Sequence, residues 1–345
     1  MNFPSSCILR QISHAALTLS VVLALLACSF SDEYEPTQEE HVRVAFVVTV
    51  DHNATRSDMG WDHYDPTDEG TAMECAIRPD DIHINICDAE GRVIGNVEDI
   101  HMERMTQDQY SLTGAWMSPG NLLKDAKKVM ILANCGSAAA SNDIADIAYS
   151  ADRTDGFIPM WGVRSFTSLT KGESNDLGDI HLLRAMAKVS LKLRSDMESR
   201  GYSIGKLTLN HRNTRGYCLP LTYQSVDKTT DIRFEGSLHE LISPATDGGL
   251  DFTALGYAYL PERSNTIAGV TPSTITLELL RNGTLEDTYT LPFCEYDADG
   301  APTDRLRDIQ RNTLYQFEVY KTDNQLKVSL HVRRWYVRDH DDVIM

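Results

Sequence analysis

Ile82-His83-Ile84-Asn85-Ile86-Cys87, then Asp88-Ala89-Glu90-Gly91, then Arg92-Val93-Ile94-Gly95, is the stretch whose reading decides the fold class. The first six residues alternate, which at period two puts Ile82, Ile84 and Ile86 on one face of a strand. Asp-Ala-Glu-Gly is a turn signal, and Arg92 to Gly95 reads as the returning strand. The unit is a hairpin with one buried face.

The same pattern continues on both sides. Upstream, Val42-Arg43-Val44-Ala45-Phe46-Val47-Val48-Thr49-Val50 is a β-branched run and a strand. Asp51 to Gly70 is polar, rich in turn formers, and reads as loop. Downstream, Lys127 to Asn134 is a strand. Lys188 to Leu193 and Lys206 to Asn210 alternate, and Phe252–Leu260, Ser273–Leu280, Thr288–Leu291, Leu314–Lys321 and Lys327–Trp335 are further strands. Gln316–Lys321 and Val328–Val332, joined through Thr322-Asp323-Asn324-Gln325, make a second hairpin. Ser141 to Ser150 reads as a short helix, capped by Ser141 or Asn142, with Ile144, Ile147 and Ala148 on one side. Many short strands between turn signals indicate an all-β chain of antiparallel β-sandwiches with few short helices. Its 345 residues suit two tandem sandwich domains at roughly 100–200 residues each. The polar stretch Gly172–Asp179 marks the boundary, giving domains 42–178 and 179–345.

The N-terminus carries a different signal. Ala15 to Ala27 is uncharged, Arg10 precedes it, and Leu25-Leu26-Ala27-Cys28 ends it. A basic start, an apolar core and a small residue before the break form the secretory pattern. The core is shorter than the roughly 20 residues of a spanning helix. Cysteine directly after the break resembles the bacterial lipobox, which implies cleavage after residue 27 and acyl chains on Cys28 holding the protein to a membrane. Residues 28–41 are acidic and polar and read as a tether.

Charge bounds the partners. The net charge is −18, and loss of residues 1–27 removes only Arg10, leaving −19. Nucleic acid needs a basic footprint and is excluded as a partner. A polybasic grip on lipid is excluded likewise, so membrane attachment falls to the lipid on Cys28. Of seven cysteines, Cys7 leaves with the leader and Cys28 is the lipid site. Cys75, Cys87, Cys135, Cys218 and Cys294 form no C-x-x-C pair, so zinc-ribbon and thioredoxin readings have no support. Cys87 reads as a small buried hydrophobe.

No catalytic motif is present: no G-x-S-x-G, no phosphate-binding glycine loop, no H-E-x-x-H. The eleven histidines are scattered without helical i,i+4 spacing. Asp297-Ala298-Asp299-Gly300 has the start of a calcium loop, but Leu306 stands where its closing glutamate belongs. No enzyme activity, metal or cofactor is expected.

An ordered set of phrases resembles the fimbrillin superfamily of Bacteroidales. It comprises the lipobox and tether, the Val42–Val50 strand with Arg56 in the loop behind it, Glu74 and Ile77, the Ile82–Gly95 hairpin and Ile131-Leu132-Ala133-Asn134. It continues through Ile158-Pro159-Met160-Trp161-Gly162, Leu183-Arg184-Ala185-Met186-Ala187-Lys188-Val189, Tyr259-Leu260-Pro261-Glu262, Ile309-Gln310-Arg311-Asn312-Thr313-Leu314-Tyr315 and a last strand ending at Trp335. On packing grounds alone Trp161 and Trp335 fill cores, Pro159 sets the start of a strand, and Arg184 and Arg311 are surface residues. The resemblance implies transthyretin-like Greek-key sandwiches and a cell-surface fimbrial subunit exported to the outer membrane. It implies assembly by strand exchange with other subunits. An arginine-specific protease would cut at Arg56, with Arg43 protected inside its strand. The first strand, with Val44, Phe46, Val48 and Val50, would leave, and a donor segment would fill the groove. The donor in this chain would be Arg334 to Met345, through Val337, Val343 and Ile344. Asp339, Asp341 and Asp342 weaken that donor and favour a cap or anchor position. The rival reading is a surface glycan-binding lipoprotein that stacks sugars on Trp61, Tyr64 and Trp116.

Overall fold

A computed structural model of the chain describes residues 39–50, 72–136, 147–152, 156–220, 224–225, 232–233, 249–322 and 325–334. Strand is the predominant regular structure among them, with very little helix. In chain order the strands are β1 (Glu39–Val50), β2 (Ile82–Cys87), β3 (Val93–Arg104), β4 (Gln109–Pro119), β5 (Lys128–Ala133), β6 (Ala148–Ser150) and β7 (Met160–Ser165). They continue with β8 (Ser174–Arg184), β9 (Ala187–Leu193), β10 (Tyr202–Asn210), β11 (Arg215–Tyr217), β12 (Gln224–Ser225), β13 (Ile232–Arg233) and β14 (Leu250–Asp251). The last are β15 (Tyr257–Leu260), β16 (Thr274–Arg281), β17 (Thr284–Pro292), β18 (Cys294–Tyr296), β19 (Pro302–Leu306), β20 (Thr313–Thr322) and β21 (Gln325–Arg334). One short helix, α1 (Ser195–Ser199), and a 3-10 turn at Ala72–Cys75 complete the described elements.

The first half closes on itself. The order β1-β4-β3-β2-β5-β7-β8 returns to β1, forming a seven-stranded barrel where an antiparallel β-sandwich was expected. Period two points Val42, Val44, Phe46, Val48 and Val50 inward, and all five are buried. Ile84 and Ile86 of β2, and Val129 and Ile131 of β5, share that interior. The β2–β3 hairpin forms where its alternation places it. Asp88 Oδ1 accepts the amides of Glu90 and Arg92 at 3.0 and 2.9 Å, and Gly91 supplies a φ of 88°.

In the second half, sheets β14-β10-β16-β17 and β15-β9-β20-β21 bury one core between them. Phe293 lies edge-on to Tyr315 and Phe317, with centroids 5.6 and 5.2 Å away. The expected β20–β21 hairpin is present, with Thr322 paired to Gln325.

Three sequence expectations need correction. Pairing is not uniformly antiparallel: β1 runs parallel to β8, and β9 parallel to β20. Each pair joins segments far apart in sequence, so no tight hairpin constrains their direction. Ala148–Ser150 is strand, paired with Arg215–Tyr217, because Tyr149 is drawn into the core beside β11; residues 141–146 of the expected helix lie outside the described residues. The polar stretch Gly172–Asp179 is not only a connector, since β8 begins at Ser174 and continues to Arg184. The two cores meet later, at Met186 and Ala187.

Candidate functional site

β1 is the element that closes the barrel. It pairs with β4 from Glu39↔Pro119 to Thr49↔Gln109, and with β8 from Arg43↔Ser174 to Val50↔Leu182. Both of its edges are therefore satisfied. Arg43 is exposed, but its backbone is held in this double pairing, and its carbonyl also accepts Asn175 Nδ2 at 2.9 Å.

The inward side chains of β1 face a defined trough. Trp116, Gly114, Leu112 and Tyr110 of β4 stand opposite Val42, Val44, Phe46 and Val48. Ile180 and Leu182 of β8 stand opposite Val48 and Val50. Trp116 is 1 % exposed. It fits because β3 carries Gly95: a Cβ there would come within 2.0 Å of Trp116 Nε1. Trp116 is thus a wall of the barrel interior and cannot stack on a sugar from solvent, against the sequence expectation. The other two aromatics of that reading, Trp61 and Tyr64, lie outside the described residues, as do Cys28, Arg56, Val337, Val343, Ile344 and Trp335.

The 3-10 turn after residue 71 plugs one end of the barrel. Tyr110 Oη donates to the Cys75 carbonyl at 2.9 Å and accepts the Ile77 amide at 3.2 Å. Asn134, in the left-handed region at φ 59°, accepts the Arg78 amide and donates to the Ala76 and Ile158 carbonyls.

A buried polar junction joins this plug to the second half. Lys188 Nζ donates to Glu74 Oε1 at 2.8 Å, Tyr259 Oη donates to the same oxygen at 2.9 Å, and the Lys188 ammonium lies 4.8 Å over the Tyr257 ring. Arg184 Nε donates to the Glu74 carbonyl at 2.9 Å, its Nη2 reaches Cys75 Sγ at 3.2 Å, and its Nη1 reaches Asn312 Oδ1 at 3.4 Å. Next to it, Arg311 donates to the carbonyls of Cys218, Tyr217 and Leu219 and to the Glu262 carboxylate. Burial and the Glu74 carboxylate push the Tyr259 hydroxyl well above its usual pKa. Burial would lower that of Arg311, and the Glu262 carboxylate reverses the effect.

Arg184 and Arg311 are 0 % and 1 % exposed, so their reading as surface residues is overturned. Phrases scattered over more than 200 residues of sequence (Glu74, Leu183–Val189, Tyr259–Glu262 and Ile309–Tyr315) meet in one place. Trp161 fills a core and Pro159 immediately precedes β7, as packing suggested. Asp297 spends its carboxylate on the turn between β18 and β19, accepting the Asp299 and Ala301 amides at 2.9 Å. Among the described residues, no group of three or more His, Cys, Asp or Glu side chains is arranged to hold a metal.

No family model and no curated protein matches the chain. Solved structures do. The tip fimbrial protein Mfa3 from Porphyromonas gingivalis, with a C-terminal truncation, superimposes with a TM-score of 0.50 at 13 % identity, covering 86 % of this chain and 100 % of that one. A candidate cell adhesion protein from Parabacteroides distasonis gives 0.50 at 15 % identity, covering 87 % and 99 %. The chain shares the fold of these two solved proteins. Sequence patterning did not reveal β4, whose residues stand opposite the inward face of β1. Tyr110, Leu112 and Trp116 alternate there, and Gly114 hides the pattern by standing where another apolar residue would show it.

Proposed function

We propose that this chain is a non-enzymatic structural subunit of a cell-surface fimbria, contributing to adhesion and assembled by strand exchange. In this reading Cys28 carries the lipid that holds the exported precursor to the outer membrane. An arginine-specific protease cuts at Arg56, β1 departs, and a strand from another subunit takes its place. The two halves are tandem transthyretin-like domains, divided where the two cores meet. The observation that carries the proposal is β1 itself. It is one continuous strand, buried along one face, whose removal would bare the trough of β4 and β8 and two unpaired strand edges. Such a trough binds a donated strand by β-augmentation, and a head-to-tail contact of that kind builds an open filament.

The register states what a donor must look like. It needs apolar side chains at period two opposite Trp116, Gly114, Leu112 and Tyr110. The C-terminal segment of this chain does not supply that pattern. Val337 and Val343 share a face with Asp339 and Asp341, and Ile344 falls on the other face beside Asp342. That favours a terminal position, as cap or anchor, over a repeating stalk subunit.

Limited digestion with an arginine-specific protease tests the reading. It should cut first at Arg56, and the cut protein should oligomerise with subunits carrying a free donor segment. Arg56→Ala should do neither. Equal assembly by intact, cut and Arg56→Ala proteins would overturn the role of β1. Binding to a glycan array without assembly would move the rival reading ahead.

A further inference from the structure

The slot that β1 fills is not uniform along its length. Of the inward residues of β1, Val42, Val44, Val48 and Val50 are valine, and the central one is Phe46. Opposite that centre β8 departs from regular pairing. It advances three residues, from Asp176 to Asp179, while β1 advances two, from Ala45 to Val47. In a regular strand Leu177 and Ile180, three residues apart, would face opposite sides. The extra residue turns both into the core, where they are 5 % and 1 % exposed. Gly178 makes the bulge possible at φ 64°. The Arg164 guanidinium donates to the Asp179 carbonyl and lies against Gly178, where a Cβ would come within 2.9 Å of its Nη1. On the other flank Leu112 stands opposite Phe46. The positions two residues away are already filled. Val44 faces Gly114, but a Cβ on Gly114 would run into Val97 Cγ1, so the Val97 side chain takes up that space. Val48 faces Tyr110, whose hydroxyl is fixed by the Cys75 carbonyl and the Ile77 amide.

We propose that the bulge makes one position of the slot an aromatic site, and that the strand replacing β1 is selected and set in register by a single aromatic side chain there. The inference rests on the strand-exchange reading and names its partner more closely. The partner is a strand of another subunit with an aromatic residue at the position of Phe46 and aliphatic residues two and four places to either side. A row of valines cannot define register alone. A slip of one residue turns the apolar face outward, but a slip of two lays valine on valine. Only the aromatic residue distinguishes those registers, because two places off it meets Val97 or the anchored Tyr110 in place of the bulge. The sequence after β21 lacks this pattern. At period two Trp335 is followed by Val337, Asp339 and Asp341, and Tyr336 by Arg338, His340 and Asp342.

The test uses the full chain with a protease site inserted between residues 51 and 70. The chain is cut, unfolded in urea and refolded with an excess of dye-labelled peptide of residues 39–50, and competing peptides are titrated in. The decisive competitor carries Val44→Phe and Phe46→Val, which keeps the composition and moves the ring by two places. It should compete at least ~10-fold more weakly than the unaltered peptide, since overpacking and an unfilled pocket act together. In chains carrying Gly178→Val, or the milder Arg164→Met, that ratio should fall, whatever happens to overall stability. In the uncut chain, adding Val44→Phe to Phe46→Val should lower the urea midpoint further and not restore it. Equal competition by the two peptides would overturn the aromatic site and leave strand exchange standing. An unchanged ratio in both bulge variants would overturn the bulge as its cause. If no peptide enters the cut chain, strand exchange falls and this inference falls with it.

Discussion

Lys188→Met removes the ammonium from a carboxylate that has no water to turn to. Glu74 is 0 % exposed and Lys188 4 %, and their contact is 2.8 Å. Methionine follows the path of the lysine stem, so packing changes little, and the loss is electrostatic. Breaking one half of a buried ion pair costs about 3–5 kcal/mol, because the remaining charge stays buried. That is a large share of the ~5–15 kcal/mol that holds a typical domain. The double substitution Glu74→Gln/Lys188→Met removes both charges and keeps an acceptor for Tyr259 Oη. It should lie within about 1–2 kcal/mol of the parent, so the two changes should be strongly non-additive. Urea titrations of parent, both single variants and the double variant measure this coupling. A loss under about 1 kcal/mol, or a double variant as weak as Lys188→Met, would refute the claim that this pair ties the barrel plug to β9.

Phe46→Ala should cost about 3–5 kcal/mol in urea unfolding, because Phe46 faces Leu112 inside the barrel, while exposed Arg43→Ala should stay within about 0.5 kcal/mol. Gly162→Ala should destabilise by about 1–3 kcal/mol in the same assay, since the new methyl would meet the His181 carbonyl oxygen at 2.3 Å and force β7 from β8. Arg311→Lys should not rescue the loss seen in Arg311→Met, because one ammonium cannot serve three carbonyls and the Glu262 carboxylate in the geometry of a guanidinium fork; thermal melts of the two variants compare them. Cys87 should resist iodoacetamide at pH 8 in the native protein and react on unfolding, since burial pushes its thiol up to about 12; mass spectrometry of the labelled chain reads the difference.

Local patterns were legible, and long-range ones were not. The β2–β3 hairpin and β1 could be read because alternation and turn chemistry are written in adjacent residues. β8 was hidden by its own irregularity. Its first half is polar, Gly178 sits at φ 64°, and the pairing with β1 slips between Ala45 and Val47. The closed barrel needs β1 to lie beside β8, more than 120 residues later, and no window of sequence contains that pairing. The junction was misread for a different reason. Arginine is almost never fully buried unless paired, so Arg184 and Arg311 default to the surface until Glu74, Asn312 and Glu262 are known to be near. The family phrases located these residues correctly without saying what they do.

The energetics of β1 constrain how any exchange could proceed. Val42, Val44, Phe46, Val48 and Val50 are all within 3 % of full burial. At about 1.5–3 kcal/mol each they contribute roughly 8–15 kcal/mol together, an upper estimate that ignores residual burial in the unfolded chain. A strand held that firmly does not leave by thermal fluctuation on a useful timescale, whether or not the loop behind it is cut. Cutting changes something else: it turns an intramolecular strand, present at high effective concentration, into a separate peptide that competes with any donor on affinity alone. A donor with matching apolar residues then replaces the lost burial nearly one for one. The plug at Ala72–Cys75 stays attached through Tyr110, Arg184 and Lys188, none of which belongs to β1. The trough would therefore keep its far end closed while one wall is exchanged. Proteolysis would set when exchange is permitted, and the side-chain register on β4 would set which strand succeeds.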